Sequence, residues 1–199
     1  MSQYFDNDKS LKSVKRMIDF SYKSIKLSLT TDVGVFSKNE IDEGSLGLLN
    51  VVTGENLTGK ILDVGCGYGT LGLTIAKLFP EVSVSMFDVN ERAVELTAKN
   101  IRTNMINNAD VFVGSTYQAL TKNEYQTIVI NPPIRAGKKV YYPLLSEAFN
   151  YLTDGGTLYF VIRKSHGALS AKNHVEQSFA KCELIKKHHG FYIYKAVKR

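Results

Sequence analysis

Three stretches of the chain hold residue types at spacings that can do chemistry. TIVINPPIRAGKK, residues 127–139, ends a run of β-branched residues in Asn131, Pro132 and Pro133, half of the four prolines present. Proline cannot donate a backbone hydrogen bond and restricts the residue before it to extended geometry, so the pair stops a strand and makes its end rigid. DVGCGYGTLG, residues 63–72, packs four glycines into a turn between a strand and a helix. Glycines there let the backbone turn tightly and approach a ligand closely, and the helix start presents free N–H groups. SVSMFDV closes on Asp88, whose carboxylate can accept hydrogen bonds from both hydroxyls of a nucleoside ribose.

Gly67, Gly69 and Gly72 also satisfy the G-x-G-x-x-G dinucleotide pattern, with Asp88 placed 21 residues after Gly67. That match alone is compatible with NAD. Against it, Gly65 starts the glycine run one step earlier, Asp63 occupies the strand end, and one sheet uses up the chain that a reductase needs for a substrate domain.

The elements that must position these residues follow from periodicity. Residues 22–30 read as an edge strand, SLGLLNVV as a short helix with Gly44 and Ser45 at its start, and Ile61 to Val64 as a buried strand. Helix Thr70 to Leu78, strand SVSMFDV and helix NERAVELTAKNIRTNMI come next, then strands DVFVG and YQTIVIN. A helix over YYPLLSEAFNYL precedes strand GTLYFVIR, entered from a turn at Asp154, Gly155 and Gly156, and residues 170–181 read as a last helix. CELIKKHH and FYIYKAVK, joined at Gly190, form an antiparallel hairpin at one end of the sheet. Strands alternating with helices in this way imply a mostly parallel α/β sheet covered on both faces.

The 199 residues suit one domain and one substantial core. The net charge of +6 is segregated: residues 1–30 carry six Lys/Arg against three Asp/Glu, residues 31–160 ten against fourteen, and residues 161–199 nine against two. Two basic ends around an acidic middle favour a polyanionic partner such as RNA or DNA where the ends meet. Arg135, Lys138 and Lys139 surround Gly137 directly after the prolines, and read as a glycine-hinged basic loop able to hold phosphates. Cys66 and Cys182 lack paired zinc spacing, and the four histidines offer no metal-ligand pattern, so no metal is expected. The N-terminal thirty residues lack the apolar core of a signal peptide and no apolar run is long enough to span a bilayer, which makes a cytoplasmic protein without membrane attachment the expectation.

Taken together, ILDVGCGYGTLG, Asp88 and INPP resemble the class I S-adenosylmethionine-dependent methyltransferases that modify an exocyclic amino nitrogen. GVFSKNEIDEGS, residues 34–45, is similar to the segment preceding the glycine loop in the small-subunit (16S) rRNA guanine-N2 methyltransferases. The resemblance runs from about residue 25 to the C-terminus and reaches the stand-alone, single-domain relatives of that family. It implies a Rossmann-like, seven-stranded methyltransferase domain over residues 1–199, with residues 1–45 as an N-terminal elaboration.

The resemblance also implies roles. Asp63, Gly65, Gly67 and Gly69 would line the methionine and ribose side of the methyl donor, Asp88 would hold its ribose, and Val89 would pack on adenine. Ser115 or Thr116 stands where relatives carry an acid for the adenine amino group. Asn131 Oδ1 and the Pro132 carbonyl would accept the two hydrogens of the substrate amine. Phe36 and Asp42 through Ser45 would close the pocket near the methyl, and Pro133, Ile134, Arg135, Lys138 and Lys139 would meet the substrate. Ile134 replaces a common Phe or Tyr, so Ile134 itself, Phe36, Tyr68, Tyr117 or Tyr141 is left to stack on a flipped base. The activity implied is guanine-N2 methylation of small-subunit rRNA or a ribosomal particle. Adenine-N6 or protein-glutamine methylation, and a nonenzymatic nucleotide- or RNA-binding module, stay open on the residues alone.

Overall fold

A computed structural model describes residues 14–32 and 41–199. The chain starts with a hairpin, β1 (Lys15–Tyr22) and β2 (Ile25–Asp32), and continues through α1 (Glu43–Val52), β3 (Lys60–Val64) and α2 (Thr70–Leu78). β4 (Ser83–Asp88), α3 (Glu91–Thr103), β5 (Ala109–Val113) and β6 (Tyr125–Ile130) follow. The chain then runs through α4 (Lys138–Tyr151), β7 (Leu152–Arg163), α5 (Ala168–Val175), β8 (Cys182–His188) and β9 (Phe191–Val197).

Seven strands form one sheet in the order β5-β4-β3-β6-β7-β9-β8, parallel from β5 to β7 and antiparallel where β9 joins β7 and β8. β3 is buried on both faces because both are covered, and it carries one buried acid, Asp63. Ile61 joins a core with α1, α2, α3 and the hairpin, while Leu62 and Val64 join a second core with α4 and α5. Each fully buried Leu, Ile, Val or Phe in these cores contributes about 1.5–3 kcal/mol relative to exposure.

Residues 22–30 do not extend the main sheet as an edge strand. β2 pairs only with β1, and its other edge is met by side chains of α3. Asn100 exchanges two hydrogen bonds with the backbone of Thr30, and Asn104, one turn on, does the same with Ser28. The i,i+4 step along a helix face thus matches the two-residue step along one strand edge. The amides satisfy backbone groups that would otherwise be stranded against the core.

Other boundaries differ from the sequence expectation as well; α1 begins at Glu43 and α3 ends at Thr103. α4 begins at Lys138, so the basic residues after the prolines occupy a 3-10 turn (Ile134–Ala136) and the first turn of a helix rather than a hinged loop. Asp154, Gly155 and Gly156 lie within β7, where the pairing register with β6 shifts. The last helix ends at Val175.

Candidate active site

One register row places the chemistry. Phe87 of β4 pairs with Val64 of β3, which pairs with Ile130 of β6, so the next residues of three neighbouring strands are Asp88, Gly65 and Asn131. This is the carboxyl end of the parallel strands, where the connections from β3 diverge to either side, and it is the ligand-binding edge of open α/β sheets.

The loop after β3 is shaped by its glycines. Gly65, Gly67 and Gly69 have φ of 72°, 59° and 96°, values that favour glycine. A Cβ at Gly65 or Gly67 would meet nothing within 4 Å, so both border open space that a ligand can enter. Gly72 differs, since a Cβ there would run into the Met86 side chain. It lets α2 close on β4.

The loop is braced from behind. Gly65 and Cys66 donate to the Phe87 carbonyl, Thr97 Oγ1 donates to the Gly67 carbonyl at 2.8 Å, and Asn100 Nδ2 donates to the Tyr68 carbonyl at 2.9 Å. The same Asn100 amide holds β2, so one α3 residue ties the hairpin to the glycine loop.

Asp88 is buried, and its two oxygens accept from Gly67 N and Asn90 N, each at 2.9 Å. Asp63 is fully enclosed, accepts from Gly72 N at 2.9 Å, and is pushed up to about 7 by burial, against the Gly72 N–H and with the help of Asp88. Burial first, then Asp63 and Asp88, raises the Cys66 thiol well above its ordinary range, which suits packing and not nucleophilic attack. Val89 is half-buried after β4. Exposed Ser115 follows Gly114, whose N–H bonds to the Asp88 carbonyl and brings the end of β5 alongside.

Asn131 has a fixed side chain. Its Nδ2 donates to Ser45 Oγ at 3.0 Å and faces Asp42 Oδ1 and Oδ2 at 3.2 and 3.4 Å. A carboxylate can only accept, so the amide must turn its NH2 group toward Asp42 and leave Oδ1 for another donor. Asp42 is itself the N-cap of α1, accepting from Ser45 N at 3.0 Å. Beyond Asn131, the Pro132 carbonyl accepts from Ile134 N at 2.8 Å across Pro133, whose φ of −74° and ψ of 74° form an inverse γ-turn. One of that carbonyl's two lone pairs is used and one is left.

Of the proposed stacking residues, three are core. Tyr117 is fully buried, donates to the Leu144 carbonyl at 2.6 Å and stacks on Tyr151, and Tyr141 is buried among the α4 contacts. Tyr68 is also buried, but Asp42 contributes to raising its phenol, after the larger effect of burial, which places both at the same end of the sheet. Ile134 is half-buried against the second core. Phe36 lies outside the described residues.

Sequence reasoning missed Phe191. It starts β9, lies under the Arg163 guanidinium at 4.4 Å, and has ring atoms 3.0 Å from where a Gly44 Cβ would stand. Only the antiparallel pairing of Phe191 with Arg163 brings it to the site, 60 positions after Asn131 in the chain. The hairpin tip is held there by Glu43, which bonds His188 at 2.9 Å and His189 at 3.0 Å. These three side chains converge within 4.8 Å although the histidines show no ligand spacing in the sequence.

Arg135, Lys138 and Lys139 are exposed. Lys138 bonds Ser170 Oγ at 3.0 Å and lies over the Tyr142 ring, so α5 braces it. Among the described residues no helix is long and apolar enough to cross a membrane, and Cys66 and Cys182 are both free and buried.

The seven-stranded sheet and the row of glycine loop, Asp88 and Asn131 define a class I S-adenosylmethionine-dependent methyltransferase. The methyltransferase small domain model matches residues 26–195, and the chain belongs to that family. YbxB, an uncharacterized protein of Bacillus subtilis, is 39% identical over the whole of both chains. Ribosomal RNA small subunit methyltransferase C of Vibrio parahaemolyticus is 36% identical, over 83% of this chain and 48% of its own. Among solved structures, the Thermus thermophilus 16S rRNA N2 G1207 methyltransferase RsmC, in complex with AdoMet and guanosine, matches with a TM-score of 0.84 at 25% identity. That match covers 95% of this chain and 52% of RsmC, so the chain spans about half the length of the methyltransferase C relatives it matches.

Proposed function

We propose that this protein methylates the exocyclic N2 of a guanine in RNA, within small-subunit rRNA or a ribosomal particle in the cytoplasm, and that residues 1–199 work as one domain with residues 1–45 as an elaboration of it. The observation that carries the reading is the held amide of Asn131, with Oδ1 turned away from Asp42 and the Pro132 carbonyl beside it in sequence. The likeness to RsmC proteins, whose names give the rRNA and N2 activity, supports the choice of base.

The donor supplies a sulfonium-activated methyl, whose bond to sulfur breaks as the bond to the amino nitrogen forms. The chain's own residues position the reactants. Asp88 would accept the ribose hydroxyls, Gly65 and Gly67, which border open space, would with Asp63 and Gly69 hold the methionine part, and Val89 and Ser115 would border the adenine. Asn131 Oδ1 and the Pro132 carbonyl accept the two N–H hydrogens of the amine. The lone pair is thereby turned toward the methyl and the positive charge growing on nitrogen is stabilised. The proton leaves to solvent after transfer, so no carboxylate base is needed before attack. Ile134, Pro133 and Phe191 offer apolar surface to the base, while Arg135, Lys138 and Lys139 hold phosphates.

The experiment is methyl transfer from labelled donor to small-subunit RNA and particles from cells lacking the gene, followed by nucleoside mass analysis. N2-methylguanosine is the expected product. N6-methyladenosine, methylglutamine in a protein substrate, or donor binding without transfer to any pool would each replace this reading.

A further inference from the structure

Asp42 does more than hold Asn131. Its Oδ1 is occupied by Ser45 N–H at 3.0 Å and by the Asn131 amide at 3.2 Å. Among the described residues, Oδ2 has only the longer 3.4 Å approach of the same amide. A half-buried carboxylate with an under-used oxygen therefore stands against the Asn131 amide, and the site presents two acceptors on touching side chains, Asp42 Oδ2 and Asn131 Oδ1.

That pattern chooses between bases. The Watson–Crick edge of guanine carries two adjacent donors, N1–H and the N2 amino group. Adenine places an acceptor, N1, next to its N6 amino group, and an ionised carboxylate opposite that nitrogen would have no hydrogen to accept. We infer that Asp42 is the specificity-determining residue of the site, accepting the guanine N1–H through Oδ2 while Asn131 Oδ1 accepts a hydrogen of N2. This deepens the guanine-N2 reading and rests on it.

The consequence is rejection of an amine that lacks the neighbouring donor. A site built to hydrogen-bond a substrate group discriminates by up to about 10⁴–10⁵ against the analogue without it, because its own buried polar group is left unpaired. Partial solvent access to Asp42 lowers this, and a factor of about 100 is the expectation.

The test uses the oligoribonucleotide containing the guanosine that the intact enzyme methylates, and a copy with 2-aminopurine at that position. 2-Aminopurine keeps the amino group and has no N1–H. The wild-type kcat/KM should fall about 100-fold on 2-aminopurine. In Asp42→Asn, whose amide keeps the N-cap and can donate to an unprotonated N1, the guanine to 2-aminopurine ratio should shrink to within about tenfold. Equal wild-type rates on both bases, or an unchanged ratio in Asp42→Asn, would overturn the inference. If Asp42→Asn is inactive on both, the wild-type ratio decides, and Asp42→Ser, which also keeps an N-cap acceptor, repeats the comparison. Absence of guanine-N2 methylation by the intact enzyme is a separate result, and it removes the functional reading before specificity is asked.

Discussion

Asn131 and Asp42 lie 89 residues apart in the chain and 3.2 Å apart in the fold, and their contact decides which way the Asn131 amide faces. The rigid Pro132–Pro133 pair holds the backbone and the carboxylate holds the side chain, so the acceptor oxygen is set before a substrate arrives. Replacing Asn131 by Ala should leave donor affinity within about twofold and lower kcat by about 10²–10³, the loss seen when one preorganised group at a reacting centre is removed. Binding calorimetry with single-turnover rates separates the two, and retained turnover contradicts the role.

Asp88 braces the glycine loop through Gly67 N and the start of α3 through Asn90 N, and it is the carboxylate proposed to accept the ribose hydroxyls. Asp88→Ala should weaken donor binding by at least about tenfold, equivalent to 1.4 kcal/mol. Unchanged affinity in a titration would rule out this position for the donor.

The glycines divide into two kinds. Gly67→Ala adds a methyl to an open face at a φ of 59°, and should reduce donor affinity more than it reduces the melting temperature of the free protein. Gly72→Ala drives a Cβ toward Met86 and should do the reverse. Paired thermal melts and donor titrations check both.

Asp63 predicts a pH dependence with a definite sign. Burial lifts its carboxyl from 3.8 to about 7 in the folded chain, so the native state binds the extra proton. The stability this contributes is complete below about pH 4 and is lost as pH rises through about 7. Asp63→Asn, which can still accept from Gly72 N, should flatten the fall in melting temperature of the donor-free protein between about pH 4 and 7. Each kcal/mol is about 2–4 °C in a chain of this size. A slope equal to wild type would place the titration elsewhere.

Much of the fold was legible because it rests on local signals. β3, α2, β4 and α3 announce themselves by apolar periodicity, glycine and Asp88, and the C-terminal strands by the turn at Gly190. What was not legible depends on contacts between distant residues. Nothing near residues 22–30 says that their free edge will meet the amides of Asn100 and Asn104, and helix spacing alone gives α3 too many candidate faces. The start of α4 was misplaced because Gly137 and three cations read locally as a loop, while packing of Tyr141 and Leu144 into the second core draws the helix back to Lys138. In the site, Asp63, Asp88 and Asn131 follow from strand ends. Phe191 and the orienting contact of Asp42 follow only from the pairing of the sheet and the docking of α1.

In the proposed reading, Phe191 supplies the aromatic surface that Ile134 does not. Phe191→Ala should raise the RNA KM or lower kcat/KM by about tenfold while donor affinity stays unchanged, since base–aromatic stacking contributes about 1–3 kcal/mol. Phe191→Tyr should restore it. An effect confined to stability would leave Phe191 as packing for α1.

The most direct measurement of the central claim is nucleotide-resolved mass spectrometry of small-subunit rRNA from cells with and without the gene. Loss of one N2-methylguanosine, restored by the wild-type chain and not by Asn131→Ala, is the predicted result. Identical rRNA modification in both cells, or loss of a methyl from a position other than a guanine N2, would contradict it.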